Sequence, residues 1–371
     1  MTMNRRTFNT SLIALGLGMM LPGHVRAAGA KSGFLSTGYD QLQTRHLVSR
    51  IGPDLDIIWD LPLPARGHGT AVRPGNDEGL VVARRPGEFA IIFGLSDGKE
   101  RFHLTPAPGR HFYGHGVYSL DGKTLWMTEN AFESGVGVIG VYDVEMGYKR
   151  IAEFSSGGIG PHQHLLMNDG KTLAVANGGI RTHPDKGREK LNIGTMRPSL
   201  AFIDGLSGKI TGQVYFDDLR QQKLSIRHMA VLPDGRVAVG CQDQEDDGRT
   251  LPLVYIHDRK SNNGLQPVEV PEDMLERFNG YCGSVACDTE GYTLAVSSPR
   301  GGLVGFWALP TGAWEGHIEL ADGCGLAPGP EHGIVASSGT GVVGRWSAGL
   351  APAETAEHAF RRWDNHMTAI D

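Results

Sequence analysis

Five histidines stand at one place in a recurring pattern: Gly67-His68-Gly69, Gly114-His115-Gly116, Pro161-His162-Gln163-His164, Arg227-His228-Met229 and Asn365-His366-Met367. Each precedes a short apolar run. Two further copies carry Tyr281-Cys282-Gly283-Ser284 and Gly323-Cys324-Gly325 instead. Neutral imidazole is the commonest metal-ligating side chain, and three or four on one axis surround an ion. The expected ligands are His68, His115, His164, His228 and His366. His162 shares a strand face with His164 and is a further ligand or its support. Imidazole suits iron, copper and zinc alike, so the set implies a transition metal without naming it. Two other readings compete. The imidazoles bridge strands or hold ordered water, or they join arginines in holding a small anionic ligand.

Equal placement of five side chains requires a repeat, and the chain has one. Asp121-Gly122, Asp169-Gly170 and Asp234-Gly235 each join two apolar runs. Weaker copies lie at residues 74–80, 288–294 and 328–334. A second hairpin follows, as at Asp97-Gly98 and Leu206-Ser207-Gly208. Asp-Gly suits a tight hairpin because glycine tolerates positive φ. Two hairpins make a four-stranded antiparallel sheet, and the units recur about every 40–50 residues, as in propellers. Six units begin near His68, His115, His164, His228, Gly283 and Cys324. The seventh is split: residues 365–370 pair with the N-terminal segments at residues 34–36, 46–48 and 55–59. The fold expected is therefore an all-β, seven-bladed β-propeller closed by its last strand against its first ones, which leaves no ring edge open. A six-bladed ring with extra strands is the alternative.

First strands line a propeller's channel, so the histidines fall at one mouth. The ends of second strands bring Arg84, Glu129, Asn130, Asn177, Arg181, His183, Gln242, Asp243 and Arg300 to the same face as candidates for binding a ligand or partner. The longest loop there, residues 178–198, exceeds ordinary hairpin length, and long loops on rigid scaffolds often carry function. Glu129 is the candidate acid/base carboxylate, against the plainer role of satisfying backbone at a strand end. Catalytic residues remain unassigned: no Gly-x-Ser-x-Gly, His-Glu-x-x-His or phosphate-loop pattern occurs.

The rest of the chain bounds its setting. The 371 residues include 53 glycines, carry a formal net charge of -6 and show no basic run past the N-terminus, which argues against nucleic-acid binding. Arg5-Arg6-Thr7-Phe8 followed by an apolar run at residues 11–21 reads as a twin-arginine signal, with cleavage after residue 27 or 30. The run is too short to span a bilayer. Residues 31–371 then form a single periplasmic domain with no membrane span. Cys241, Cys282, Cys287 and Cys324 allow three disulfide pairings, and their spacing does not choose among them.

The twin-arginine start, His115-Gly116 ahead of Asp121-Gly122-Lys123, and Pro161-His162-Gln163-His164 resemble the DUF1513 family, exported bacterial proteins of unknown function. The most specific stretches are Arg181-Thr182-His183-Pro184-Asp185, Lys190-Leu191-Asn192 and Met196-Arg197-Pro198-Ser199-Leu200. The resemblance spans the chain from about residue 31 and implies a periplasmic propeller. Genes of such proteins accompany imelysin-like iron-uptake proteins and di-haem oxidoreductase-like proteins, which implies, by association, a role in iron acquisition with periplasmic iron-uptake proteins as partners. The family supplies no catalytic residues. The leading expectation is a metal-binding or metal-dependent propeller. The rivals are a non-catalytic interaction scaffold of an uptake system and a propeller hydrolase or lactonase.

Overall fold

In the computed structural model, seven four-stranded antiparallel sheets form the blades of a propeller. The structure describes residues 32–370 except 188, 246–249, 262, 330–331, 347–349 and 351. The twin-arginine segment and the candidate cleavage sites lie outside the described residues, as do Pro330 and Glu331 of the weakest repeat copy.

Blades 1 to 6 span residues 67–104, 110–155, 161–215, 224–267, 284–319 and 323–357. Blade 7 is assembled from both ends of the chain. Its innermost strand is Arg361–Ile370, which pairs antiparallel with Gly33–Asp40, and Arg45–Ile51 and Ile57–Leu63 complete the sheet. This is the closure expected from the sequence, and it sets the blade count at seven. Among the described residues one α-helix occurs, Glu272–Arg277, between blades 4 and 5.

The hairpins form where the Asp-Gly pairs stand. Gly122, Gly170 and Gly235 have φ of +67°, +69° and +88°, and the preceding aspartate accepts from the backbone N–H two residues on, as Asp121 Oδ1 does from Lys123 at 3.1 Å. The carboxylate thus mimics a turn carbonyl.

The core lies between blades. Each of the seven seams carries a buried apolar cluster, as where Leu80, Val82 and Ile92 of blade 1 meet Phe112, Leu125 and Met127 of blade 2. Outermost strands are half exposed and rich in charge, as in Glu100–Leu104 and Lys149–Ser155, which protects the rim from edge-to-edge pairing. A blade alone leaves both faces bare, so stability resides in the stack and its closure.

Closure rests on Phe34, Ile51, Trp363 and Met367 of blade 7 packed against Ala327, Val335 and Val343 of blade 6. Trp363 is 3% exposed. Trp363→Ala is expected to remove about 3–5 kcal/mol of stability, as large-to-small aromatic truncations in cores do. Denaturant titration beside the wild type checks this; a loss under about 1 kcal/mol would mean that the ring closes without this seam.

Candidate metal centre

The innermost strands do not pair continuously. Six of the seven slip register near the channel mouth, between Gly67 and Thr70, Phe112 and Gly116, Pro161 and His164, Ile226 and His228, Gly323 and Leu326, and in the last strand between Trp363 and Met367. A bulge adds residues to one strand and re-aims their side chains. His68, His115, His162 and His366 all lie inside these bulges. Glycine permits the crowding. A Cβ on Gly69 would stand 2.6 Å from the Gly114 carbonyl oxygen and 2.7 Å from His115 Nδ1, and one on Gly114, at φ +109°, would stand 2.5 Å from His68 Cδ2.

Carbonyls released by the bulges are caught by buried hydroxyls of second strands. Thr37 donates to the His68 carbonyl at 3.2 Å, Ser36 to that of His366 at 2.9 Å, and Ser297 to that of Cys324 at 2.6 Å. Thr128 donates to His115 and His162 at 3.3 and 3.4 Å. Buried backbone groups are thus satisfied while the imidazoles stay turned to the axis.

Four of those imidazoles form one group. A ligand nitrogen from each of His68, His115, His162 and His366 lies within 4.8 Å of every other. His68 Nε2 is 3.4 Å from His162 Nε2 and 3.3 Å from His366 Nε2. Zinc–imidazole bonds of about 2.0–2.1 Å put two tetrahedral ligands about 3.3 Å apart, so these contacts already have the edge length of such a site. Hydrogen bonding satisfies them poorly, because His68 Nε2 carries one proton or one lone pair and faces two nitrogens. His228 packs against the group, with ring centroids 4.9 Å from His162 and 4.7 Å from His366. Side-chain nitrogens of His68, His115, His162 and His228 are buried with no partner among the described residues.

His164 is placed elsewhere. It follows the bulge, in the regular part of its strand, and its Nε2 meets the Trp126 carbonyl oxygen at 3.0 Å in the seam with blade 2. His162 is therefore the residue equivalent to His68 and His115, and the two-residue spacing on a regular strand does not hold across a bulge. Cys282 and Cys324 also turn away, their Sγ atoms meeting the Leu253 and Asp322 carbonyl oxygens at 3.7 and 3.0 Å. All four cysteines are free.

Burial holds the imidazoles neutral, with lone pairs available. It drives His68, His115, His162 and His228 well below the ordinary range, and the neighbouring imidazoles and Arg227 or Arg84 add like charge. His366 is lowered to about 4 by burial, against the pull of Asp364. Burial also lowers His164 to about 4, against its bond to Trp126. Burial opposes the charge on Asp364, and Arg66, 2.5 Å away, outweighs it, so this carboxyl lies below its usual range. Asp364 Oδ1 is 4.0 Å from His68 Nδ1.

The other candidates divide. Arg84 sits by the imidazoles and acts on His68, His228 and His366. Gln242, Asp243 and Arg300 line a cleft of about 460 Å³ with Lys190 and Asn279, and Arg300 lies over the Tyr281 ring at 5.2 Å. Glu129 is fully buried inside blade 2, where it accepts from Tyr142 at 2.6 Å and pairs with Arg150 at 2.8 Å. Asn177 exchanges hydrogen bonds with Ser156 at 2.8 Å. Asn130 donates to His111 Nε2 and to the Thr182 carbonyl at 3.1 and 3.3 Å. Arg181 donates to the Glu133 carbonyl at 2.9 Å, and His183 Nδ1 caps the short 3-10 helix Pro184–Lys186. Glu129 thus ties side chains together within blade 2, and Asn177, Asn130, Arg181 and His183 hold backbone and loops in place. Sequence reasoning missed Arg85, Lys190, Arg227, Tyr113, Tyr281 and Asp364 as members of the mouth. Tyr113 and Asp364 share bulges with His115 and His366, Arg227 is the bulged residue next to His228, and that adjacency is the readable signal.

Fold and site together define a seven-bladed propeller with a buried axial histidine group. The model of the DUF1513 family, described as "Protein of unknown function", matches residues 61–370, and this chain belongs to that family. No curated protein matches it. Among solved structures, a chain of the Kuenenia stuttgartiensis hydrazine synthase superposes with a TM-score of 0.65 at 16% identity, covering 83% of this chain and 91% of that one. At that identity the likeness is one of fold.

Neutral buried imidazoles give stability a pH dependence of fixed sign. Below about pH 6.5 the unfolded chain protonates histidines that the fold keeps neutral, His164 and His366 until about pH 4, so stability falls on acidification across that window. His164 and His366 are each expected to contribute about 3 kcal/mol to the full drop. Urea unfolding of metal-stripped protein from about pH 7.5 to about pH 4 checks this, and His164→Gln should flatten the curve. Stability independent of pH over that range would mean that the folded imidazoles take up protons at the same pH as in the unfolded chain, so that burial does not hold them neutral.

Proposed function

We propose that this chain is an exported, periplasmic protein that binds a transition metal on the propeller axis and serves iron acquisition. The observation that carries the metal reading is the convergence of His68, His162 and His366 through Nε2 at 3.3–3.4 Å, with His115 completing the group. His68 Nε2 can donate to or accept from its two neighbours with only one proton or one lone pair, whereas one cation would satisfy every inward lone pair at once. Four imidazoles suit iron, copper or zinc. Iron is favoured by the family's association with iron-uptake proteins, and export by the twin-arginine segment. Among the described residues no helix is long and apolar enough to cross a membrane.

Elemental analysis of protein exported by its own signal and purified without chelator tests this. Near one equivalent of iron, copper or zinc is expected in the wild type. His68→Gln/His366→Gln should lose it while remaining folded, and His164→Gln should keep it, because its nitrogen is committed to the Trp126 carbonyl. Metal absent from the wild type even after reconstitution, or metal retained by the double variant, would sink the proposal.

A further inference from the structure

A divalent ion on neutral imidazoles leaves its charge uncompensated, and the surroundings add more of the same sign. Arg227 stands beside the group and acts on His115, His162, His228 and His366. Its Nε is buried with no hydrogen-bond partner among the described residues. The groups facing its guanidinium are two more cations, Arg85 and Arg84, and the Tyr281 and Tyr113 hydroxyls. Lys190, from the long loop of blade 3, comes close enough to Arg85, Arg300 and Arg227 to feel all three. Asp364, a buried carboxylate at this end, pairs with Arg66 at 2.5 Å and also feels Arg84, so the uncompensated charge is that of Arg227 and Arg85.

Arg227 and Arg85 repel one another, with tyrosine hydroxyls rather than a carboxylate acting on Arg227, and folding tolerates this where a ligand supplies the missing charge. Guanidinium forks and tyrosine hydroxyls are donors matched to oxyanions, and arginine binds carboxylate and phosphate oxygens in pairs. A cleft of about 460 Å³, lined by Lys190 and Arg300 and also by the carboxylates Asp243, Glu245 and Glu276, is of the size that takes a small molecule, and the anion is assigned to the Arg227 end rather than to this acidic lining.

We infer that the axial site takes a small oxyanion of at least two negative charges, a polycarboxylate or a phosphate, clamped by Arg227, Arg85 and Lys190 while one oxygen completes the metal's coordination. This rests on the metal reading for the last contact alone; the clamp is formed by the chain's own cations. A four-histidine site without a protein carboxylate keeps a positive charge that an exogenous anion neutralises, so metal and anion bind cooperatively and each tightens the other by the same factor.

Isothermal titration of the mature chain with citrate and with inorganic phosphate, zinc-loaded and metal-free, tests the inference, with metal content measured on the same samples. At least one of the two anions should bind one to one, and about 10-fold or more tighter to the zinc-loaded protein. Whichever binds tighter identifies a carboxylate or a phosphate source. Arg227→Gln and Lys190→Gln should each weaken binding about 10-fold, the size expected for a lost charge-assisted hydrogen bond. Arg101→Gln, a cation on the outer strand of blade 1 paired with Asp97, should leave it unchanged. Lys190 is exposed on a loop, so its variant remains informative if Arg227→Gln does not fold. Binding of neither anion at millimolar concentration, or binding equal in the Arg227, Lys190 and Arg101 variants, overturns the inference. Anion binding lost in Arg227→Gln but indifferent to zinc, in protein that holds no metal, keeps the clamp and removes the metal contact together with the metal reading.

Discussion

The site depends on a break in strand pairing. A regular innermost strand would alternate its side chains between the two neighbouring seams, and none would point along the channel mouth. The register slips at residues 67–70, 112–116, 161–164 and 363–367 release two or three residues at a time from that alternation. The freed imidazoles turn inward, and the freed carbonyls would be a cost of the order of 1–3 kcal/mol each if left unmet. Thr37, Ser36, Thr128 and Ser297 meet them. Several of these hydroxyls reach across to the next blade, so the bonds that repair the bulges also lock the blades in angular order.

Electrostatics follows from that geometry. Imidazoles brought this close in a buried place cannot share protons, because each positive charge would face its neighbours in a medium that screens poorly. Neutrality is thus imposed by packing, and neutral imidazole is the form that ligates metals. The same packing places Arg227 and Arg84 beside the group with Asp364 already engaged by Arg66. The mouth is therefore basic in a chain whose formal net charge is -6. Local field and overall charge have opposite signs, and a binding site answers to the local field.

Much of this was legible from composition and spacing. Asp-Gly turns gave the hairpins, their period gave the blades, and the orphaned last strand with its apolar Trp363 and Met367 gave the closure. The histidine ring was legible as a recurring position. The direction of each side chain was not, because alternation presumes an unbroken strand. Pro161-His162-Gln163-His164 shows the limit: His164 heads the regular strand and is turned to Trp126, while His162, one bulge earlier, reaches the axis. Bulges leave a weak sequence mark, here the glycines flanking His68 and His115, and the Pro161 and Arg227 copies lack it. Glu129 was misjudged for a related reason. It sits at a strand end in sequence yet inside the blade in space, where Gly140 opposite leaves room for its carboxylate beside Tyr142 and Arg150.

The axial histidine group also spans the closure of the ring. His366 and Asp364 come from the last strand, whereas His68, His115 and His162 come from the first three blades after the N-terminal strands. Under the proposed metal reading, three of the candidate ligands come from blades 1 to 3 and the fourth from the strand that completes blade 7. A metal that binds the closed ring more tightly than the open one stabilises closure by its differential affinity. The seam of Phe34, Trp363 and Met367 and the axial nitrogens then act on one equilibrium.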